Sequence, residues 1–169
     1  MERSEGVTHD DTGADAVQPC RGCGLAIAGG TEACRALFDA SLAHDALDVR
    51  FGRYHRLVVD IYALQHPDPF CLSAKSLMAH LTGLCAEIDH PRHPTLLRSL
   101  QQALNGSPAL AKPRLPEPRG VLTIADVQDV PDPEAYGDAV ARWGAATWRA
   151  YAPLHGVARA FVAGVLARG

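Results

Sequence analysis

Apolar residues recur along most of this chain at intervals of three and four, the spacing of one buried helix face. Ala36, Leu37, Ala40, Leu42 and Leu47 supply one such face, and Thr31 is placed to cap a helix over 32–46. The best-defined segment runs from His55 to His66. Leu57, Val58, Ile61, Tyr62 and Leu64 cover one broad arc, while His55, Arg56, Asp60 and His66 fall opposite, interrupted by Val59 and Ala63. That polar strip is therefore expected to be half-covered. Pro67 ends the segment by biasing the residue before it away from helical angles.

Ser73 caps a further helix from Ala74 to about Asp89, with Leu77, Met78, Leu81, Leu84, Cys85 and Ile88 as its core arc. Ser76, Ala79, Gly83 and Ala86 make a second strip, small enough to admit another helix. Pro94 is read as opening a helix that carries Leu96, Leu97, Leu100 and Leu104 and closes at Asn105-Gly106. A proline-rich, basic link over 107–120 follows, and then a capped turn from Thr123 to Val127. Asp132-Pro133 starts a helix reaching about Ala152. Its aromatic face is Tyr136, Val140, Trp143, Thr147 and Tyr151, a spacing that denotes core. After Pro153 a last helix begins at His155. These elements predict an all-α fold, a helical bundle, as one domain over 19–169. Residues 1–18 are acidic and aperiodic and read as a disordered tail.

Composition narrows the classes. Sixteen basic residues against nineteen acidic ones leave a net charge of −3, without the basic stripe that nucleic-acid binding requires. No apolar run approaches the roughly 20 residues of a membrane span. The first residues lack the apolar core of a secretory signal, so a cytoplasmic setting with reduced thiols is the expectation. Five cysteines, an odd number, also argue against a closed disulfide framework.

The strongest local motif is Cys20-Arg21-Gly22-Cys23-Gly24. A Cys-x-x-Cys turn followed by glycine lets backbone amides face the sulfurs, as in zinc knuckles. Cys34, early in the first helix, adds a third thiol. Zinc needs four donors, and this loop supplies three. A redox pair and three unconnected thiols remain alternatives, although a redox motif ordinarily begins a helix after a strand. His55 and His66 share an azimuth on their helix, but eleven residues at about 1.5 Å each hold them roughly 16 Å apart, too far to share an ion. His80 and His155 border packed faces and read first as hydrogen-bonded packing residues.

The string His55-Arg56-Leu57-x-Val59-Asp60-x-Tyr62-x-x-Gln65-His66-Pro67, with Cys20-x-x-Cys23-Gly24 before it and Ser76-x-x-x-His80 after it, resembles a family of uncharacterised bacterial proteins, a domain of unknown function. The similarity spans 20 to about 162 and implies no established activity. The resemblance also implies that similar proteins can carry a histidine between the second and third cysteines. Gly24 to Ala33 contains none here. The fourth donor must come from elsewhere: Cys71, delivered by the Pro67-x-Pro69 turn, is expected, and His66 is the alternative.

Three functions are compatible with these residues. One is a small zinc-stabilised protein with structural metal at Cys20, Cys23, Cys34 and Cys71. Another is a metal-dependent hydrolase or transferase. It would gather His55 or His66, Asp60, His80 and His155 in an inter-helix cleft beside Tyr62, with Asp60 orienting a histidine base. The third is an adaptor or regulator that binds a partner protein through its helical surface.

Overall fold

A computed structural model describes residues 16–93, 95–106 and 109–168. The acidic tail lies largely outside this range, except that Val17 and Gln18 belong to a strand. An antiparallel hairpin opens the described chain, β1 (Val17–Pro19) pairing with β2 (Ala26–Ala28) in the register Val17 to Ala28. Three-residue strands fall below what a period-two pattern can reveal, so the all-α expectation holds with this one addition.

The helices follow in order: α1 (Gly30–Leu47), α2 (Val49–Gly52), α3 (His55–Gln65), α4 (Pro67–Phe70), α5 (Ala74–Asp89), α6 (Leu96–Asn105), α7 (Pro133–Ala150) and α8 (His155–Leu166). Their boundaries follow local chemistry. Ser73 and Ser76 form a reciprocal capping box at the start of α5. Asp132 accepts from the amides of Glu134 and Ala135 with Pro133 at the first helical position of α7. The Pro67-x-Pro69 turn is itself the single helical turn α4. Pro94, expected to open α6, lies outside the described residues.

At the centre α3 packs against α5, α7 and α1. Ile61, Leu64, Leu81, Leu84, Val140, Trp143 and Tyr151 are fully enclosed there. Each large side chain so buried is worth about 1.5–3 kcal/mol before conformational entropy is charged against it. The second half of α3 is covered on every side, where the sequence pattern predicts a half-covered strip. Asp60, Gln65 and His66 are buried along with the apolar arc.

Such burial requires partners for every polar group. Gln65 has them: its amide donates to the carbonyls of Arg119 and Leu122, at 3.1 and 2.7 Å, and its oxygen accepts from Trp143 Nε1 at 3.0 Å. One side chain thus fastens the proline-rich link to α3 and α7. Tyr151 donates to the Leu64 carbonyl at 2.6 Å, which ties α3 to the end of α7.

Candidate metal centre

The hairpin buries almost nothing of its own. β1 is exposed throughout, and in β2 only Ile27 is half-buried. Cys20 anchors the loop between the strands, its amide donating to the Leu25 carbonyl and its carbonyl accepting from the Gly24 amide, both at 2.8 Å. This fold turns Cys20 and Cys23 inward. Cys34, in the second turn of α1, rises to meet them, and its Sγ lies 3.7 Å from that of Cys23.

The fourth corner is His66, the residue that caps α3. Its Nε2 is 3.4 Å from Cys20 Sγ and 3.5 Å from Cys34 Sγ. Nδ1 lies 2.8 Å from the Tyr62 carbonyl oxygen. A carbonyl only accepts, so Nδ1 carries a proton and Nε2 is the nitrogen that faces the sulfurs. Three sulfurs and one nitrogen, each from a different residue, lie within 4.8 Å of one another. Cys20, Cys34 and His66 are buried and Cys23 is half-buried. This Cys3His group could hold a metal ion.

The neighbours hold His66 closely. Its ring stacks on Tyr62 at 3.8 Å between centroids, and Tyr62 stacks in turn on Phe38 at 3.9 Å. Gly22 lies against the ring as well: a Cβ there would collide with the imidazole and come within 2.9 Å of the Gln65 carbonyl oxygen. Arg119 Nη1 also donates to the Gly22 carbonyl at 3.2 Å. The thiols cannot ionise independently. The hydrogen bond from Cys34 lowers Cys23 to about 4, against the cost of burial, and His66 assists. The same bond, together with burial, pushes Cys34 far up. One negative charge settles in the group and opposes the next, which is the electrostatic situation a cation relieves.

Cys71, expected as the fourth donor, is not in this group, where His66, the alternative, stands instead. Cys71 is fully buried, its Sγ donates to the Ala63 carbonyl at 3.5 Å, and burial raises its thiol to about 11. The turn that presents Cys71 follows Pro67, whereas the sulfurs meet the chain just before Pro67, at His66. Cys85 is likewise buried, with its thiol raised to about 12 by burial and by Asp89.

The other candidate residues do not share a cleft. Asp60 and His80 do meet, His80 Nδ1 lying 2.8 Å from Asp60 Oδ1, and Arg56 Nε donates to Asp60 Oδ2 at 2.8 Å. Gly83 of α5 backs directly onto that carboxylate, where a Cβ would collide with Oδ2. The small-residue strip thus admits a buried carboxylate as well as a helix. His55 faces Asp45 at 3.5 Å. His155 stacks on Trp148 at 3.9 Å and bonds its carbonyl at 2.8 Å, while Arg159 pairs with Asp89 at 2.7 Å. Tyr62 packs against the cysteine group. The inter-helix assembly of His55, Asp60, His80 and His155 is therefore reduced to the Arg56–Asp60–His80 triad.

Among the described residues no helix is long and apolar enough to cross a membrane. Neither the curated proteins nor the solved structures contain a match to this chain. One family model does match, over residues 18–152, a span holding the whole Cys3His group and the triad. The chain belongs to that family, a family of unknown function (DUF5946).

Proposed function

We propose that Cys20, Cys23, Cys34 and His66 bind one Zn²⁺ and that the metal is structural. The carrying observation is the set of mutual distances. Zinc bonds of about 2.3 Å to sulfur and about 2.0–2.1 Å to nitrogen, directed tetrahedrally, imply edges of about 3.8 Å between sulfurs and about 3.6 Å from sulfur to nitrogen. Three of the six edges are 3.7 Å for Cys23–Cys34 and 3.4 and 3.5 Å from His66 to Cys20 and Cys34, and all six lie within 4.8 Å. The fixed tautomer supports the same reading, because a ligating histidine characteristically gives its second N–H to an outer acceptor.

Four protein donors close the coordination shell and leave no position for substrate. The role left for the ion is mechanical. The hairpin has too little buried surface to hold itself, and the metal clamps it and the start of α1 to the end of α3. Ligating thiols must be reduced, which suits a cytoplasmic setting.

Metal analysis of the purified chain tests this reading. One zinc per chain is expected, with chelation lowering the melting temperature. Protein purified without metal, and taking up none when zinc is added, overturns it.

A further inference from the structure

A cavity of about 230 Å³ opens beside the cysteine group, walled by the knuckle, the α3–α4 corner and the end of the proline-rich link. Three arginines line it, Arg21, Arg35 and Arg119, against one carboxylate, Asp68. Arg35 also meets Asp39 at 2.9 Å, and Arg119 meets Glu117 at 3.1 Å. Those pairs leave donors over. Arg119 Nε is buried with no hydrogen-bond partner, and Arg21 pairs with no carboxylate among the described residues.

An unpartnered buried donor is costly, and guanidinium donors match the two acceptors of a carboxylate or phosphate. The rest of the wall is Thr31 and His66 beside the apolar surfaces of Pro67, Pro69, Tyr62 and Phe70. Tyr62 and Phe70 meet edge to face, centroids 5.7 Å apart, and Arg35 lies over the Phe70 ring at 5.4 Å. Cationic donors beside aromatic surface, in a space of this size, select a small ligand with a charged head and a planar body.

We infer that this cavity binds a small aromatic oxyanion, its carboxylate or phosphate head taken by Arg21 and Arg119 and its ring laid against Phe70. The inference rests on the metal reading in one respect: Arg21 and Gly22 belong to the knuckle that the ion would hold in place. Asp68 sets a limit on the ligand, disfavouring a second negative charge at its own end of the cavity.

Calorimetric titration of the full chain, with zinc measured in the same sample, tests the inference. The probes are benzoate, phenyl phosphate, and benzamide as the uncharged control. One saturable site for benzoate or phenyl phosphate is expected, with Kd raised tenfold or more by Arg21→Ala. Arg21 is exposed, so this variant leaves the fold intact. The tighter of the two anions identifies the head group. Benzamide binding as tightly as benzoate, an Arg21→Ala variant of unchanged affinity, or no saturable binding to protein carrying one zinc per chain overturns the inference. Protein that lacks zinc and takes up none when it is added overturns the metal reading instead, and the same titration then judges the cavity by the same criteria.

Discussion

His66 donates from Nδ1 to the Tyr62 carbonyl at 2.8 Å, one helical turn back, and so aims Nε2 at the sulfurs of Cys20 and Cys34. The Tyr62 carbonyl also accepts the His66 backbone N–H at 2.9 Å, the last rung of α3, which stops there because Pro67 has no N–H with which to continue the ladder. A helix terminus, a tautomer and a ligand direction are thus set by the same three residues, Tyr62, His66 and Pro67.

This relationship separates His66 from Cys71 by experiment. Cys20→Ser or His66→Ala should abolish stoichiometric zinc and lower stability by roughly 3–5 kcal/mol, about 10 °C for a chain of this size. Cys71→Ala should keep one zinc per chain and cost about 1–2 kcal/mol through lost packing alone. Metal content and calorimetric melting on the same samples decide it. Loss of zinc from Cys71→Ala together with its retention in His66→Ala rejects the Cys3His assignment.

Gly22→Ala tests the contact behind the imidazole. The added methyl strikes the His66 ring and the Gln65 carbonyl, neither of which is free to retreat. Zinc affinity should fall about 10–100-fold, the range seen when groups that orient a ligand are altered. Competition with a chromogenic chelator measures it, and an unchanged affinity shows that His66 does not need this support.

Asp60→Ala removes the centre of the Arg56–Asp60–His80 triad. Arg56 is half exposed and can turn to water, but His80 is largely enclosed. The expected cost is about 2–3 kcal/mol, below the usual range for breaking a buried pair. Zinc content should be unaffected. Denaturant unfolding with metal analysis separates this from damage at the cysteine group.

Asp45 gives a pH signature. It is buried and accepts from the Tyr136 hydroxyl at 3.2 Å, while its Oδ2 has no hydrogen bond among the described residues and sees His55 only at 3.5 Å. Burial raises its carboxyl above the ordinary 3.8, with Tyr136 and the two histidines His55 and His44 opposing. The folded state therefore holds this proton more tightly than the unfolded state. The resulting stabilisation is complete below about pH 3.8 and is lost as pH rises through the raised folded value. Asp45→Asn cannot ionise, so its stability relative to the parent should climb from pH 4 to pH 7. A flat or falling difference across that range contradicts the assignment.

Most of the helical framework was legible because it is written locally. Ser73 and Asp132 cap helices by contacts to residues two or three positions away, Pro133 opens α7 with its fixed φ, and the aromatic face of α7 follows directly from its period. The hairpin was not legible, since three exposed residues per strand carry no alternation. Nor was the burial of Asp60. That depends on Gly83, twenty-three positions later, leaving room for a carboxylate, and on Arg56 of α3 and His80 of α5 converging there.

The sequence by itself determined the long helices, the caps at Ser73, Thr123 and Asp132, and three thiols within fifteen residues that lack a fourth donor. Thr31, expected to cap the first helix, instead lies inside α1 and accepts from the Arg21 amide. Only the tertiary structure decided where the fourth donor comes from. Cys71 and His66 stand five residues apart on opposite sides of Pro67, and spacing cannot choose between them. The choice was made by the way α3 lies against the start of α1 and the hairpin, bringing an imidazole 46 residues from Cys20 to within 3.4 Å of its sulfur while burial turns Cys71 onto the Ala63 carbonyl. Coordination depends on distances of a few ångströms in space, and helix packing sets those distances where separation along the chain does not.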